Sequence, residues 1–268
     1  MKKPISIEAL LTWAFVEELP KFGTHEGGGP SAAPSTWGIL SDVIMLGTMI
    51  DKGPNRYGVV SGFVWFGEPH PDAIIVGDAV RALAAREGFE IMAGWNPFPE
   101  YRDDHGIIAA EVSRMAHEIA SGRGGRVNGR HIVSLVTTAA ILKRGPDWQA
   151  EAPKVVTVQN GGKDAWFVKR VSKDSMGRRV EYEDNGFHQR HQRPMKGAYR
   201  KYRLAQSIRG AVISRLDWQL WQSALETLRD SLYVVLTAHD LLPFHPDRSP
   251  WIPIRNDAVE MQASDIAS

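Results

Sequence analysis

The feature that most constrains the fold is a double change of apolar period. Up to Leu142 the apolar residues recur at spacings of three and four, which is the signature of helices that bury one face. From Val155 the runs VVTVQ, AWFVKRV and RVEYE are short and β-prone. Asn160-Gly161 supplies a hairpin turn between the first two, and SKDSMG separates the last two. Beyond residue 208 the helical period returns.

The first helical part divides at its caps and breakers. Ser6 is placed to cap a helix carrying Ile7, Leu10, Leu11, Ala14, Phe15 and Leu19, which Pro20 closes. A loop of glycine, proline and small residues follows. Ser35 or Thr36 then caps a helix with Trp37, Leu40 and Ile44 inward. VVSGFVWFGEP reads as a strand or buried extended segment. Pro71 opens a helix to about Ala85, Asp104 caps one to about Ser121, and a further helix spans about Arg130 to Leu142, stopped by Gly145 and Pro146.

The last helix, from Ile208 or Ser214 to about His239, carries Trp218, Trp221, Leu225, Leu228, Leu232 and Val235 as an a/d stripe. Such a stripe is a bundle core or a homodimer seam. The expected fold is therefore mainly α with a small three-stranded antiparallel β-sheet over about residues 154–184, an α+β helical bundle plus inserted sheet. A helical lobe over 1–148 and a second part over 149–268, holding the sheet, the basic segment and the long helix, make one compact unit with two lobes.

Composition removes several classes of function. The chain has no cysteine, so disulfides, thiolate zinc sites and cysteine nucleophiles are excluded. No apolar run approaches the roughly 18–20 residues that span a bilayer. The N-terminal MKKPISIEALLTWAFVEELPK is broken by Glu8, Glu17 and Glu18 and reads as an amphipathic helix, not a targeting segment. No G-x-S-x-G, Walker or kinase pattern occurs. No cofactor, no metal and no membrane partner are expected.

The net charge of +1 conceals an asymmetry. Residues 151–216 hold 15 basic and 6 acidic side chains, whereas residues 1–100 hold 7 and 12. Between Gly186 and Asp217 there is no acidic residue at all. This segment and the hairpin before it supply the candidate nucleic-acid contacts: Arg178, Arg179, Arg190, Arg193, Lys196, Tyr199, Arg200, Lys201, Tyr202 and Arg203. Lys169, Arg170, Lys173, Arg209 and Arg215 add to the cluster. Clustered cations neutralise phosphates, and interleaved tyrosines stack on bases or donate to phosphate oxygens. The competing reading is a solvated face or internal pairing with the chain's own carboxylates.

Other constellations are weaker. GRGGRVNG follows a predicted helix, not a strand, so it is not a dinucleotide loop. With Arg123, Arg126 and Arg130 it could turn a helix-turn-helix, although it is longer than the usual turn. His188 and His191, near Glu183 and Asp184, lack a third ligand at metal-site spacing. Trp251, between prolines, packs an arm onto the body, or anchors a partner if exposed.

Two resemblances add context. Lys196 to Tyr202, then Arg215, Trp218, Trp221, Ala224, Leu225 and Leu228, then Pro250 and Trp251 form a pattern that resembles the C-terminal ends of uncharacterised proteins carried by prophages of proteobacteria. That implies a phage or prophage gene acting in a bacterial cytoplasm and carries no activity. Glu26, Gly27, Trp37 and Gly38 resemble the Glu-Gly opening of phage-type muramidases, which implies a cell-wall hydrolase with Glu26 as acid. The expectation drawn from the residues is a non-enzymatic nucleic-acid-binding or regulatory protein. Its rival is a protein-interaction module, a homodimer or an inhibitor of a host complex, built on the last helix and Trp251.

Overall fold

The computed structural model describes residues 2–23, 68–85, 91, 94–121 and 128–252. The expected helix near 36–49, the extended segment near 59–69 up to Gly67, the arginines 123 and 126, and Glu26 lie outside the described residues.

In chain order the elements are β1 (Lys3–Ile5), α1 (Ile7–Trp13), α2 (Pro71–Ala82), α3 (Ile107–Ala120), α4 (Gly129–Leu142), β2 (Val155–Thr157), β3 (Gln159–Asn160), β4 (Lys163–Asp164), β5 (Trp166–Lys173), β6 (Arg179–Asn185), β7 (Phe187–His188), β8 (Arg193–Pro194), β9 (Tyr199–Arg200), β10 (Tyr202–Leu204), α5 (Arg209–Leu232) and β11 (His239–Leu241). The fold is mixed α and β.

Local chemistry explains most boundaries. The Ser6 hydroxyl accepts from the Ala9 N–H at 3.2 Å and starts α1. That helix widens into a π turn, Ala14–Glu18, and Pro20 sits within a 3-10 turn, Leu19–Gly23. Pro71 occupies the first turn of α2, where its missing N–H costs nothing, and the His70 ring accepts from the Asp72 N–H. The start of α3 differs from expectation. Asp103, not Asp104, takes the N–H groups of Ile107 and Ala109, at 3.0 and 2.8 Å, while Asp104 pairs with Arg102. Asn128 caps α4 by accepting from the His131 N–H at 2.8 Å.

The chain forms two compact units, each assembled from separate stretches. The first comprises residues 1–90, 122–148 and 216–250, and the second 91–121, 149–215 and 251–268. The expected boundary near residue 148 is thus one of several places where the chain passes between units, and α5 divides after Arg215.

In the first unit α1, α2, α4 and the greater part of α5 bury one core. Leu10, Val76, Ile132, Val136, Leu225, Leu228 and Leu232 are all essentially inaccessible. The a/d stripe of α5 is therefore largely internal, with Trp221 buried and Val235, beyond the helix end, exposed. The helix stops at Leu232, short of the expected His239. Residues 239–241 instead form β11, parallel to β1, with Lys3 opposite His239 and Ile5 opposite Leu241. A buried carboxylate accounts for this. Asp72 accepts the N–H groups of Thr237, Ala238 and His239, the Thr237 hydroxyl and the His239 Nδ1–H, at 2.7–3.2 Å. Burial alone would raise its pKa. These donors together outweigh burial and hold it far below the usual carboxylate range.

The second unit packs α3 and the start of α5 around Phe98, Ile108, Val112, Met115, Ile208 and Val212. Its strands form small antiparallel sheets. The expected three-stranded sheet is corrected in composition: AWFVKRV and RVEYE pair as β5 and β6, but the third strand is β9, not VVTVQ. The VVT part of that run pairs with β10, with Thr157 opposite Tyr202. The Asn160-Gly161 turn joins β3 to β4, and Gly161 has φ +58.

Candidate nucleic-acid interface

The basic residues of the second unit are carried by a ribbon and two short hairpins. Strands β5 and β6 pair from Phe167 opposite Asn185 to Lys173 opposite Arg179. Residues directly opposite share a face. Phe167, Lys169, Val171 and Lys173 therefore lie on one face with Asn185, Glu183, Glu181 and Arg179. Arg170 and Tyr182 lie on the other. From Lys169 to Glu183 every side chain except Asp174 is exposed.

The foot of the ribbon is anchored by a close approach. Gly186 donates to the Trp166 carbonyl at 2.8 Å, and a Cβ there would stand 2.8 Å from the Phe167 backbone and 2.9 Å from the Ala198 Cβ. Only glycine lets β7 start against β5. Met195 then donates to the Gly186 carbonyl, returning the chain to β9.

This arrangement brings Lys169 of β5 to Lys196 of the β8–β9 turn. With Val168, Gly197 and Tyr199 they line a concavity of about 400 Å³. Neither lysine has a carboxylate within ion-pair distance among the described residues, although Lys169 stands directly opposite Glu183 across the ribbon and its charge acts on that carboxyl. The Tyr199 hydroxyl at its edge donates to Glu183 at 2.5 Å, which pushes the tyrosine pKa up. Glu183 also pairs with Lys201, and the Lys201 and Tyr199 contacts hold the carboxyl below its ordinary value.

The ten candidate contacts thus fall into two groups. Arg178 pairs with Asp174 at 3.2 Å, Arg200 with Asp164 at 2.9 Å, and Lys201 with Glu183. Arg200 also covers the Trp166 ring and Lys201 the Phe167 ring. The Tyr202 ring is stacked on His105 at 3.6 Å, so one of its faces is covered. By contrast Arg179, Arg190, Arg193, Lys196 and Arg203 are exposed and have no ion pair among the described residues. Lys169 and Lys173 of the ribbon join them. Of the rest, Arg170 pairs with Asp184 and Arg209 with Glu118.

Arg215 is a core residue. It is 3% exposed, donates to the Pro97 carbonyl and Glu100, and lies 4.9 Å from the Phe98 ring and 4.7 Å from that of Trp251. Trp251 is itself 8% exposed, which removes the exposed partner anchor and keeps the packed arm.

His188 and His191 approach with ring centroids 4.4 Å apart, and among the described residues no group of three or more metal-ligating side chains forms. Helix α3 belongs to the second unit and α4 to the first, and residues 122–127 between them lie outside the described residues. No described helix is long and apolar enough to cross a membrane.

Sequence reasoning placed Lys169 and Lys173 in a secondary role. The signal that promotes them is register: odd positions of β5 share the face of Tyr199, which pairs with Phe167. No family model, curated protein or solved structure matches the chain.

Proposed function

We propose that this chain is a non-enzymatic nucleic-acid-binding protein that grips the phosphate backbone with the second unit. The observation that carries the reading is the set of seven exposed cations lacking ion pairs among the described residues: Lys169, Lys173, Arg179, Arg190, Arg193, Lys196 and Arg203. Lys169 and Lys196 both line the concavity, so a phosphate seated there would meet two cationic side chains, and backbone phosphates are the source of salt-dependent affinity. The paired residues Arg178, Arg200 and Lys201 shape the sheet and contribute less.

The C-terminal resemblance supports a prophage setting and a bacterial cytoplasm for this activity. The rival interaction module draws less support, because most of the α5 stripe and Trp251 are buried within the chain.

The experiment is a salt series of binding to a labelled 20-base-pair duplex and to a single strand of the same length. Each neutralised phosphate contributes a slope of about −0.9 in log K against log salt on duplex and about −0.7 on single strand. Engagement of most of the seven cations gives a duplex slope of about −5. Absence of binding at low salt ends the reading.

A further inference from the structure

The outer end of the β5–β6 ribbon is built in a way its own stability does not explain. Lys173 and Arg179 stand directly opposite each other across the two strands. Like charges in that position repel, and neither has an ion pair among the described residues. Between them the turn Asp174–Arg178 presents Met176, which is 75% exposed. Val180, one position inward from Arg179, and Val171, two positions inward from Lys173, are 45% and 59% exposed. A two-stranded ribbon bare on both faces is marginal alone.

The turn is nevertheless firmly set. Asp174 Oδ1 accepts the N–H groups of Met176 and Arg178 at 2.9 and 2.8 Å, and Asp174 donates to the Arg178 carbonyl at 2.9 Å. Gly177 adopts φ +76 and donates to the Asp174 carbonyl at 3.0 Å. Arg178 reaches both Asp174 Oδ2 and the Met176 sulfur, at 3.2 and 2.9 Å. The one carboxylate at the tip is thereby turned inward onto the backbone. An apolar side chain is held at the apex with a cation on either side.

We infer that the tip enters the minor groove of duplex DNA, with Met176 as an apolar wedge at a base step and Lys173 and Arg179 on the flanking phosphates. The inference rests on the nucleic-acid reading above and names its substrate as a duplex that is bent. Apolar side chains wedged from the minor groove unstack a step and kink the helix by roughly 20–90°. The minor groove, about 6 Å wide, is too narrow for the whole two-stranded ribbon, which the major groove at about 12 Å would admit, so only the apical side chain is inserted. Glu181, opposite Val171 on the cationic face, sets the depth. A carboxylate is repelled by phosphate, so insertion stops at the tip residues.

The test is fluorescence energy transfer between dyes on the two ends of a 30-base-pair duplex, with the full chain at saturating concentration. Affinity is measured in parallel by anisotropy. The wild type is expected to bind and to raise transfer efficiency. At a concentration that saturates each variant, Met176→Ala is expected to lose most of the increase, and Met176→Leu to retain it. Wild-type binding without a change in transfer overturns the wedge and leaves the phosphate reading standing. So does a Met176→Ala chain that bends the duplex as the wild type does. Binding to single strands alone also overturns it. If the wild type binds neither duplex nor single strand, the nucleic-acid reading fails and the wedge with it. Should the tip instead mediate association of the chain with itself, with no duplex affinity, the inference is likewise rejected.

Discussion

Lys169 and Lys196 are separated by 27 positions in the sequence yet line one concavity, and no carboxylate lines it with them. Removing both in a Lys169→Ala, Lys196→Ala chain is expected to weaken duplex binding and flatten the salt slope by about 1.8, the contribution of two phosphates. Both side chains are exposed, so thermal unfolding should be unchanged. Anisotropy across 50–200 mM salt reads the slope, and an unchanged slope shows that the concavity is idle.

Glu183 works against the proposed activity, because it holds Lys201 and the Tyr199 hydroxyl. Glu183→Gln removes a negative charge and releases a cation beside the same concavity. Binding should tighten, and the slope should steepen by about 0.9 if Lys201 then takes a phosphate. Weaker binding by this variant would mean that the carboxylate positions Tyr199 for contact rather than restraining it.

Arg215 separates charge from architecture. Its guanidinium is enclosed by Phe98, Trp251, Glu100 and the Pro97 carbonyl. Arg215→Ala leaves the Glu100 carboxylate and the Pro97 carbonyl without that donor and opens a void between two rings. A loss of about 3 kcal/mol in the second unit is expected. Chemical denaturation measures the loss, and the salt slope of whatever remains folded should equal that of the wild type.

Asp72 makes the first unit acid-sensitive. Its folded-state pKa lies below the ordinary value near 3.8. The stabilisation it gives is therefore complete above that ordinary value and is lost as the pH falls toward the folded-state one. Asp72→Asn keeps the shape but cannot accept from every donor around it, and should cost about 3 kcal/mol at neutral pH. Denaturation midpoints taken from pH 6 down to pH 2.5 should fall less steeply for the variant than for the wild type. Parallel curves would assign the acid response to other carboxylates.

Local signals in the sequence were read well where a cap or breaker decides the matter. Ser6, Pro71 and the region before α4 start helices as their side-chain chemistry requires. The same reading missed Asp103 by one residue, because the neighbouring aspartates differ only in the backbone turn at Gly106 (φ +68) that aims one of them. It missed β11 because pairing with β1 spans more than 230 residues and depends on Asp72, which sits in a helix far along the chain. Periodicity cannot report such a partner.

The candidate site divides in the same way. The density of arginine and lysine is visible in composition, but pairing is not. Arg200, Lys201 and Arg178 look like Arg190, Arg193 and Arg179 until register places Asp164, Glu183 and Asp174 beside the first three. Arg215 looks like a member of the cluster because the helix that buries it begins within the basic stretch.

Lysine reactivity tests the central claim most directly. The folded chain is acetylated briefly with and without a saturating 20-base-pair duplex, and each lysine is read by mass spectrometry. The account predicts strong protection of Lys169, Lys173 and Lys196 by the duplex, with Lys143 of the first unit unaffected. Equal reactivity of the three second-unit lysines in the presence and absence of DNA would contradict it.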